Sequence, residues 1–195
     1  MSAREEILAG VRRALAAADV APVHVPRGYR ATTAPDLDLF AERVADYRAV
    51  VVRCAEHEVE QRVAEALPPG ARVVVPEGLP WTVPGAVPDD GLSALELDRL
   101  DAVVTAATVG IATTGTIVLS HGPGEGRRAL TLVPDLHACV VRADQVVADV
   151  PDAVALLDPA RPTTWVSGPS ATSDIELNRV EGVHGPRTLH VVLVG

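Results

Sequence analysis

Short runs of valine and other apolar residues recur along this chain of 195 residues and constrain its fold more than any other feature. Runs such as AVVV (49–52), VVV (73–75) and ACVV (138–141) have the length of single buried strands. Aromatic residues make up only 3% of the chain, so Val, Ala and Leu must fill the core. Because parallel strands buried on both faces have this composition, we predict an α/β fold with an open, mostly parallel sheet and helices on both faces.

Hydrophobic periodicity and turn residues place the predicted elements along the chain. Helices are expected at Asp36–Tyr47, Glu56–Leu67 and Pro151–Leu157, a short helix or turn at Ala106–Ala112, and a long loop anchored by Trp81 at Pro76–Gly91. Strands are expected at Ala49–Arg53, Arg72–Val75, Asp101–Thr105, Thr116–Ser120, Leu130–Val133, Ala138–Val141, Thr164–Ser167 and Leu189–Val194.

The N-terminal part of the chain predicts a helix and a linker. Apolar residues recur at spacings of three and four within Ala3–Ala18, and Ser2 with Glu5 forms a capping-box pattern. Prolines then interrupt the pattern. We therefore predict an N-terminal helix and Pro-containing linker over residues 1–35 and an α/β domain over residues 36–195. The first helix is expected to dock either against its own domain or against a partner.

Charge and cysteine content exclude several classes of function. The formal net charge is −9, and all 17 basic residues are arginine, so a Schiff-base or P-loop lysine is excluded. The acidic balance and the lack of a basic run argue against nucleic acid or an anionic membrane as partner. Cys54 and Cys139 are too few for an ordinary four-thiolate iron–sulfur cluster. We expect a reduced, cytoplasmic protein without a membrane span.

Two segments rich in glycine are candidates for an anion site. Thr114, Gly115 and Thr116 precede an apolar strand, where hydroxyls and free N–H groups suit a phosphate or carboxylate; the alternative is an ordinary tight turn. The segment His121–Arg128 (HGPGEGRR) follows that strand and matches neither the GxGxxG nor the Walker pattern. Its Arg128 is a candidate anion ligand, or else half of a solvated arginine pair.

His137 is a candidate general base, because Asp135 two residues earlier could orient its ring. The alternative is a turn aspartate followed by a hydrogen-bonded, half-buried histidine. Convergence of His137, His184, Asp174 and Glu176 on a metal ion is a further interpretation. Their spacing does not match a zinc motif, and we expect no metal site.

The segment Thr163–Val194 concentrates glycines, hydroxyls, carboxylates and a histidine between two predicted strands, as ligand-binding loops do. Ser167 and Ser170 lead into a predicted helix N-terminus, which favours bound anions. Helix capping explains the carboxylates of Asp174 and Glu176 equally well. A serine, a histidine and an acid are present, but the GxSxG pattern of serine hydrolases is absent.

These motifs resemble those of the lactate-utilization protein C family, which carries the LUD domain. The likeness rests on GIATTGTIVL (110–119), GRRALTLVPDLH (126–137), SGPSATSDIE (167–176) and GVHGPRTLHVVL (182–193). It implies a fold like that of the NagB/RpiA/CoA-transferase group with an N-terminal helical extension. It also implies a role in a bacterial system that oxidises L-lactate to pyruvate, in which partner subunits carry the iron–sulfur clusters and this chain binds no cofactor.

Site roles follow from residue chemistry, because the resemblance assigns none. For a small anionic ligand such as lactate, the candidate catalytic residues are His137, His184 and Glu176, and the candidate ligand-binding residues are Thr114, Gly115, Thr116, Arg128, Ser167, Ser170, Asp174 and Arg187. One alternative is an independent enzyme of the CoA-transferase or sugar-phosphate isomerase type, with Glu176 as nucleophile or base. The other is a noncatalytic assembly or regulatory subunit that binds partners through its first helix.

Overall fold

The structure, a computed structural model, describes residues 2–18, 24–26, 28, 34–169, 171–172, 180–181 and 185–195. Contacts divide the chain into two units, Met1–Arg30 and Ala31–Gly195. The first unit contains helix α1 (Ala3–Leu15), which begins at the predicted capping box: Ser2 Oγ accepts from Glu5 N, and Glu5 accepts from Ser2 N. Its apolar residues Ile7, Val11 and Leu15 are 67%, 49% and 55% exposed.

Six strands of the second unit form a wholly parallel sheet, which confirms the predicted fold class. They are β1 (Val50–Cys54), β2 (Val73–Val75), β3 (Ala86–Pro88), β4 (Ala102–Thr105), β7 (Leu136–Arg142) and β12 (Thr188–Val194). Their order across the sheet is β1–β12–β7–β4–β2–β3, and every neighbouring pair is parallel. Both faces of a parallel sheet are covered by other elements, which accounts for the apolar residues of these strands.

Successive side chains of a strand point to opposite faces of the sheet, and apolar side chains on both faces pack against helices. Val140 of β7 packs in one buried cluster with α3 (Val59–Ala66), which continues a 3-10 turn at Glu56–Glu58. Its neighbour Val141 packs in another cluster with Phe40 of α2 (Leu37–Asp46). None of the described helices combines the length and apolar character needed to cross a membrane.

A second, four-stranded sheet lies in the same cluster as α2 and corrects one prediction. It consists of β5 (Val109–Ile111), β6 (Thr116–Leu119), β8 (Val146–Val147) and β9 (Thr164–Val166), in the order β8–β5–β6–β9. The short helix or turn predicted at Ala106–Ala112 is therefore wrong. Pairing with β6 on one side and β8 on the other overrides the local preference of these residues.

Other corrections concern short segments. The strand predicted at Leu130–Val133 is wrong, since a 3-10 helix spans Arg128–Thr131 and buries Leu130 against β2 and β4. The long loop predicted at Pro76–Gly91 contains β3, and it is followed by the unpredicted helix α4 (Ala94–Leu97). Helix α5 (Val150–Leu156) lies where a helix was expected, and β10 (Ala171–Thr172) pairs with β11 (Val180–Glu181).

Gly115 closes the β5–β6 hairpin against α2, and its replacement should destabilise the fold. Its φ is +59°, and a Cβ at this position would lie 2.5 Å from the carbonyl carbon of Arg43. We expect Gly115→Ala to lower the free energy of unfolding by about 2–5 kcal/mol, because left-handed strain adds to overpacking. Gly70→Ala is the matched control: its φ is +75° but its Cβ would meet open space, so about 1–2 kcal/mol is expected. Urea unfolding measures both, and equal losses would contradict the close approach.

Candidate functional site at the carboxyl edge

The parallel sheet has a crevice at its carboxyl edge. The chain leaves β2 toward β3 and leaves β4 toward β7, on opposite sides, so β2 and β4 flank a topological switch point. Open α/β sheets bind ligands at such points, outside the carboxyl ends of the strands. Two adjoining pockets of about 620 and 590 Å³ lie here, and both have Gly78, Gly122, Pro123 and Arg161 in their walls.

The segment His121–Gly126 forms the wall that the two pockets share. Gly124 N–H donates to the carbonyl of Glu77 at 2.7 Å, and its own carbonyl accepts from Ala106 N at 2.7 Å. These bonds join the residues that follow β2 to the residue that follows β4. Gly124 has a φ of +77°, which glycine adopts without a Cβ penalty. The wall is thus fixed by main-chain bonds on both sides of the switch point.

His121 anchors the same wall to the second sheet. Its φ of +56° lies in the left-handed region that non-glycine residues rarely adopt. Nδ1 lies 2.8 Å from the carbonyl oxygen of Gly126, and Nε2 lies 2.9 Å from Oγ1 of Thr164 in β9. A carbonyl only accepts, so Nδ1 carries a proton, and in the neutral ring Nε2 accepts from the threonine hydroxyl. Both ring nitrogens are therefore occupied, and the imidazole holds the wall in place.

Glu125 is a buried carboxylate in the wall of the larger pocket, with 7% of its surface exposed. Thr108 Oγ1 donates to Oε1 at 2.6 Å, and Ser120 N–H donates to Oε2 at 2.6 Å. Both donors are neutral, and no cation of the described residues forms an ion pair with this carboxylate. Burying a carboxylate without a cation is costly, and such groups are common at functional sites.

Two ion pairs, Arg127 with Asp89 and Arg142 with Glu56, neutralise four charges of the crevice. Arg127 donates through Nε and Nη2 to both carboxylate oxygens of Asp89, at 2.7 and 2.8 Å. These hydrogen bonds hold the pKa of Asp89 below its ordinary value. Arg142 donates to Glu56 at 2.8 Å, and the other oxygen of Glu56 accepts from the indole of Trp81 at 3.4 Å. The predicted anchoring of its loop by Trp81 agrees with this contact.

Arg161 stands at the junction of the two pockets and, within the described part of the chain, forms no ion pair. Its Nη2 lies 3.5 Å from the point that a Cβ on Gly122 would occupy, so the glycine leaves room for the guanidinium. An unpaired guanidinium binds carboxylate or phosphate oxygens by two parallel hydrogen bonds. Outside its ion pairs, the crevice therefore presents Arg161, the buried carboxylate of Glu125 and the exposed carboxylates of Asp158 and Glu77 to a ligand.

Three of the sequence-predicted ligand residues come together elsewhere, as a chain of hydroxyls. Thr114 Oγ1 donates to Thr116 Oγ1 at 2.8 Å, and Thr116 Oγ1 lies 2.8 Å from Ser167 Oγ. The neighbouring Gly115 packs against α2, whose last residue precedes the amino end of β1. This hydroxyl cluster therefore lies on the amino side of the sheet, away from the crevice.

The predicted arginines are also separated from one another. Arg187 donates to both oxygens of Asp135, at 2.7 and 2.6 Å, beside the amino ends of β12 and β7. Arg128 is exposed on its 3-10 helix, and the adjacent Arg127 lines the crevice instead. The orientation of His137 by Asp135 is not observed, because the carboxylate bonds Arg187.

His137 lies in the core rather than in an open hollow. It is 1% exposed within β7, and Nε2 lies 2.8 Å from Oγ1 of Thr105 in β4. Burial lowers the pKa of His137 to about 4, so the ring is neutral in the folded protein. No hydrogen bond or ion pair joins Thr116, Arg128 and His137, which we expected to face one cavity.

The other predicted site residues, Ser170, Asp174, Glu176 and His184, lie outside the described residues, and their roles stay predictions. Among the residues that the structure does describe, no group of three or more His, Cys, Asp or Glu side chains is arranged to hold a metal ion.

Sequence reasoning missed the two charged groups that define the crevice. Glu125 lies inside the glycine-rich segment 121–128, which attracted attention only for its arginines. The combination of glycines with an embedded carboxylate directly after a buried strand was the available signal. Arg161 lies in the segment DPARP (158–162), which matches no motif, and only folding places it beside Gly122.

Comparison with known proteins indicates the LUD-domain family. The sequence model of the LUD domain matches residues 29–194. A protein of Deinococcus radiodurans named Lactate utilization protein C is 45% identical over 205 aligned residues, which cover 99% of this chain and 96% of that protein. A Lactate utilization protein C of Halalkalibacterium halodurans is 33% identical over 106 residues, but the match covers only 49% of this chain and 45% of that protein.

One solved structure is similar over most of its length. It is the crystal structure of a DUF162 family protein from Deinococcus radiodurans at 1.70 Å resolution, with 41% sequence identity and a TM-score of 0.70. The match covers 82% of this chain and 96% of that chain.

The buried neutral His137 should make stability depend on pH. Its pKa is about 4 in the folded protein and about 6.5 in the unfolded chain, so the unfolded chain binds the extra proton between these values. Stability is fully present above pH 6.5 and falls as the pH is lowered toward 4. Between pH 7.5 and 5 we expect His137 to account for a loss of roughly 2 kcal/mol in urea unfolding.

His137→Gln should remove that part of the pH dependence, whereas the same change at the exposed His57 should keep it. The comparison is made between slopes, because loss of the bond to Thr105 also lowers stability at every pH. An unchanged slope in His137→Gln would show that this ring is not the responsible group.

Proposed function

This chain belongs to the LUD-domain family, and we propose that it is a cytoplasmic component of a bacterial system that oxidises L-lactate to pyruvate, in which it binds a small carboxylate in the crevice. The name of the Deinococcus radiodurans relative supports the lactate role, since its match spans nearly the whole of both chains. The crevice at the switch point, with Arg161 unpaired among the described residues, is the observation that carries ligand binding.

The geometry of the crevice suits a small anion better than the hydroxyl cluster does. Arg161 is exposed and offers a positive charge where the two pockets meet, and the wall beside it is fixed at Gly124 and at His121. The cluster of Thr114, Thr116 and Ser167 has its hydroxyls hydrogen-bonded to one another. Arg161 of the crevice, in contrast, would give a carboxylate charge-assisted hydrogen bonds.

Electron transfer is proposed to depend on partner subunits. Oxidation of lactate to pyruvate releases two electrons and two protons, and an acceptor must take up the electrons. Cys54 and Cys139 are both buried, and two thiols are fewer than a four-thiolate cluster requires. Iron–sulfur clusters on partners would supply the acceptor, and a crevice that is open to solvent leaves room for such a subunit to approach.

An assembly role is the second candidate, and helix α1 favours it. Ile7, Val11 and Leu15 form an apolar stripe along the helix and remain largely exposed. An amphipathic helix with such a stripe is a common element for docking on a partner's groove. In this case the chain would bring the cluster-bearing subunits together without contacting lactate.

Removal of the Arg161 charge should weaken lactate binding. We expect Arg161→Gln to raise the Kd of the purified full chain for L-lactate by about 10- to 100-fold, because a charge-assisted hydrogen bond contributes about 1.5–3 kcal/mol. Isothermal titration calorimetry measures the effect. Arg99→Gln is the matched control, since Arg99 is exposed and precedes the amino end of β4, at the opposite edge of the sheet.

Equal losses in the Arg161 and Arg99 variants would point to a nonspecific charge effect. Failure of the unaltered chain to bind lactate at all would reject the binding role and leave the assembly role.

A charge within the stripe of α1 should separate assembly from ligand binding. We expect Val11→Glu to abolish co-purification with the cluster-bearing subunits of a lactate-oxidation system, because docking would bury the new carboxylate. Ala9→Glu places the same charge on the opposite side of the helix and should leave co-purification intact. Retention of the partners by Val11→Glu would contradict the assembly role of this helix.

A further inference from the structure

We propose that Glu125 makes the crevice selective for a 2-hydroxy carboxylate over the corresponding 2-oxo acid. This inference rests on the proposed binding of a small carboxylate at Arg161 and assigns the substrate class of that site. Glu125 lines the larger pocket, and only 7% of its surface is exposed. It takes part in neither ion pair of the crevice.

Hydrogen-bond polarity at Glu125 is fixed by its two partners. Ser120 N–H can only donate, and it donates to Oε2 at 2.6 Å and also to Thr108 Oγ1 at 3.1 Å. The Thr108 hydroxyl accepts this bond from Ser120 through one lone pair, and it donates its own proton to Oε1 of Glu125, 2.6 Å away. Both carboxylate oxygens are therefore acceptors, and each retains a second lone pair.

A ligand group that contacts this carboxylate must donate a hydrogen bond to it. A ligand hydroxyl donates a proton and forms a charge-assisted hydrogen bond. A ketone oxygen only accepts, so it would face the carboxylate without a shared proton and would lose its hydration. The pocket thus favours C–OH over C=O at the position next to Glu125.

Arg161 and Glu125 both line the larger pocket, on either side of one turn. Glu125 N–H donates to the carbonyl of Gly122 at 3.1 Å, so Gly122 and Glu125 belong to one tight turn. The guanidinium of Arg161 lies beside Gly122, and no ion pair joins Arg161 to Glu125. A 2-hydroxy carboxylate bound by both groups would place its carboxylate at Arg161 and its hydroxyl at Glu125.

The test compares four probes that differ at one carbon: L-lactate, pyruvate, propionate and 2-methoxypropionate. Calorimetric titration of the purified full chain should show L-lactate binding at least about tenfold more tightly than each of the others. The methoxy compound keeps the ether oxygen but loses the donated proton, so this comparison requires no altered protein.

Glu125→Gln supplies the matching test on the protein. The amide can donate to a ketone, so the ratio of the pyruvate Kd to the lactate Kd should fall to within about threefold. Glu42→Gln, an equivalent change on the exposed surface of α2, should keep the preference. Thermal unfolding of each variant establishes that the fold is retained.

The outcomes distinguish this inference from the proposed function. Equal binding of all four probes, with affinity lost in Arg161→Gln, would overturn the selectivity and leave carboxylate binding in place. A lactate preference that persists in folded Glu125→Gln would overturn the assignment to Glu125. Binding of none of the probes by the unaltered chain would overturn both.

Discussion

The common direction of the six strands is the constraint on which the rest of the molecule depends. A parallel sheet must be covered on both faces, which accounts for the Val-rich strands and for helices on either side. The same polarity brings the residues after each strand to one edge. Since β2 and β4 connect in opposite directions, the edge opens between them, and the crevice follows from topology before any side chain is considered.

Side chains and local main-chain bonds then determine the shape of the crevice and the charges that it presents. Main-chain bonds of Gly124 fix the wall, and the ring of His121 ties it to β9. Gly122 leaves room for Arg161 and belongs to the turn that carries Glu125. The arginines that sequence reasoning favoured serve other purposes, because Arg187 is paired with Asp135 and Arg128 is exposed. The proposed ligand site therefore uses Arg161 and Glu125 in place of the arginines that the sequence suggested.

The sequence predicted the sheet well but did not single out Arg161 and Glu125, for identifiable physical reasons. Strands such as β7 are buried on both faces, so burial alone requires a run of apolar residues that can be recognised in the sequence. Strand β5 has only three residues, and its partners β6 and β8 decide its conformation. The neighbourhood of Arg161 and Gly122 is produced entirely by tertiary folding, which periodicity does not encode. The roles of Glu176 and His184 lie outside the described residues and stay predictions.

His121 shows what the crevice gains from a locally unfavourable conformation. Its left-handed backbone costs roughly 1–2 kcal/mol, and the two bonds of its imidazole oppose that cost. The wall is consequently preorganised: its conformational entropy is lost when the chain folds and not when a ligand arrives. Association would then proceed with little rearrangement of the backbone, so the affinity of a small molecule would not be lowered further by the cost of ordering this wall.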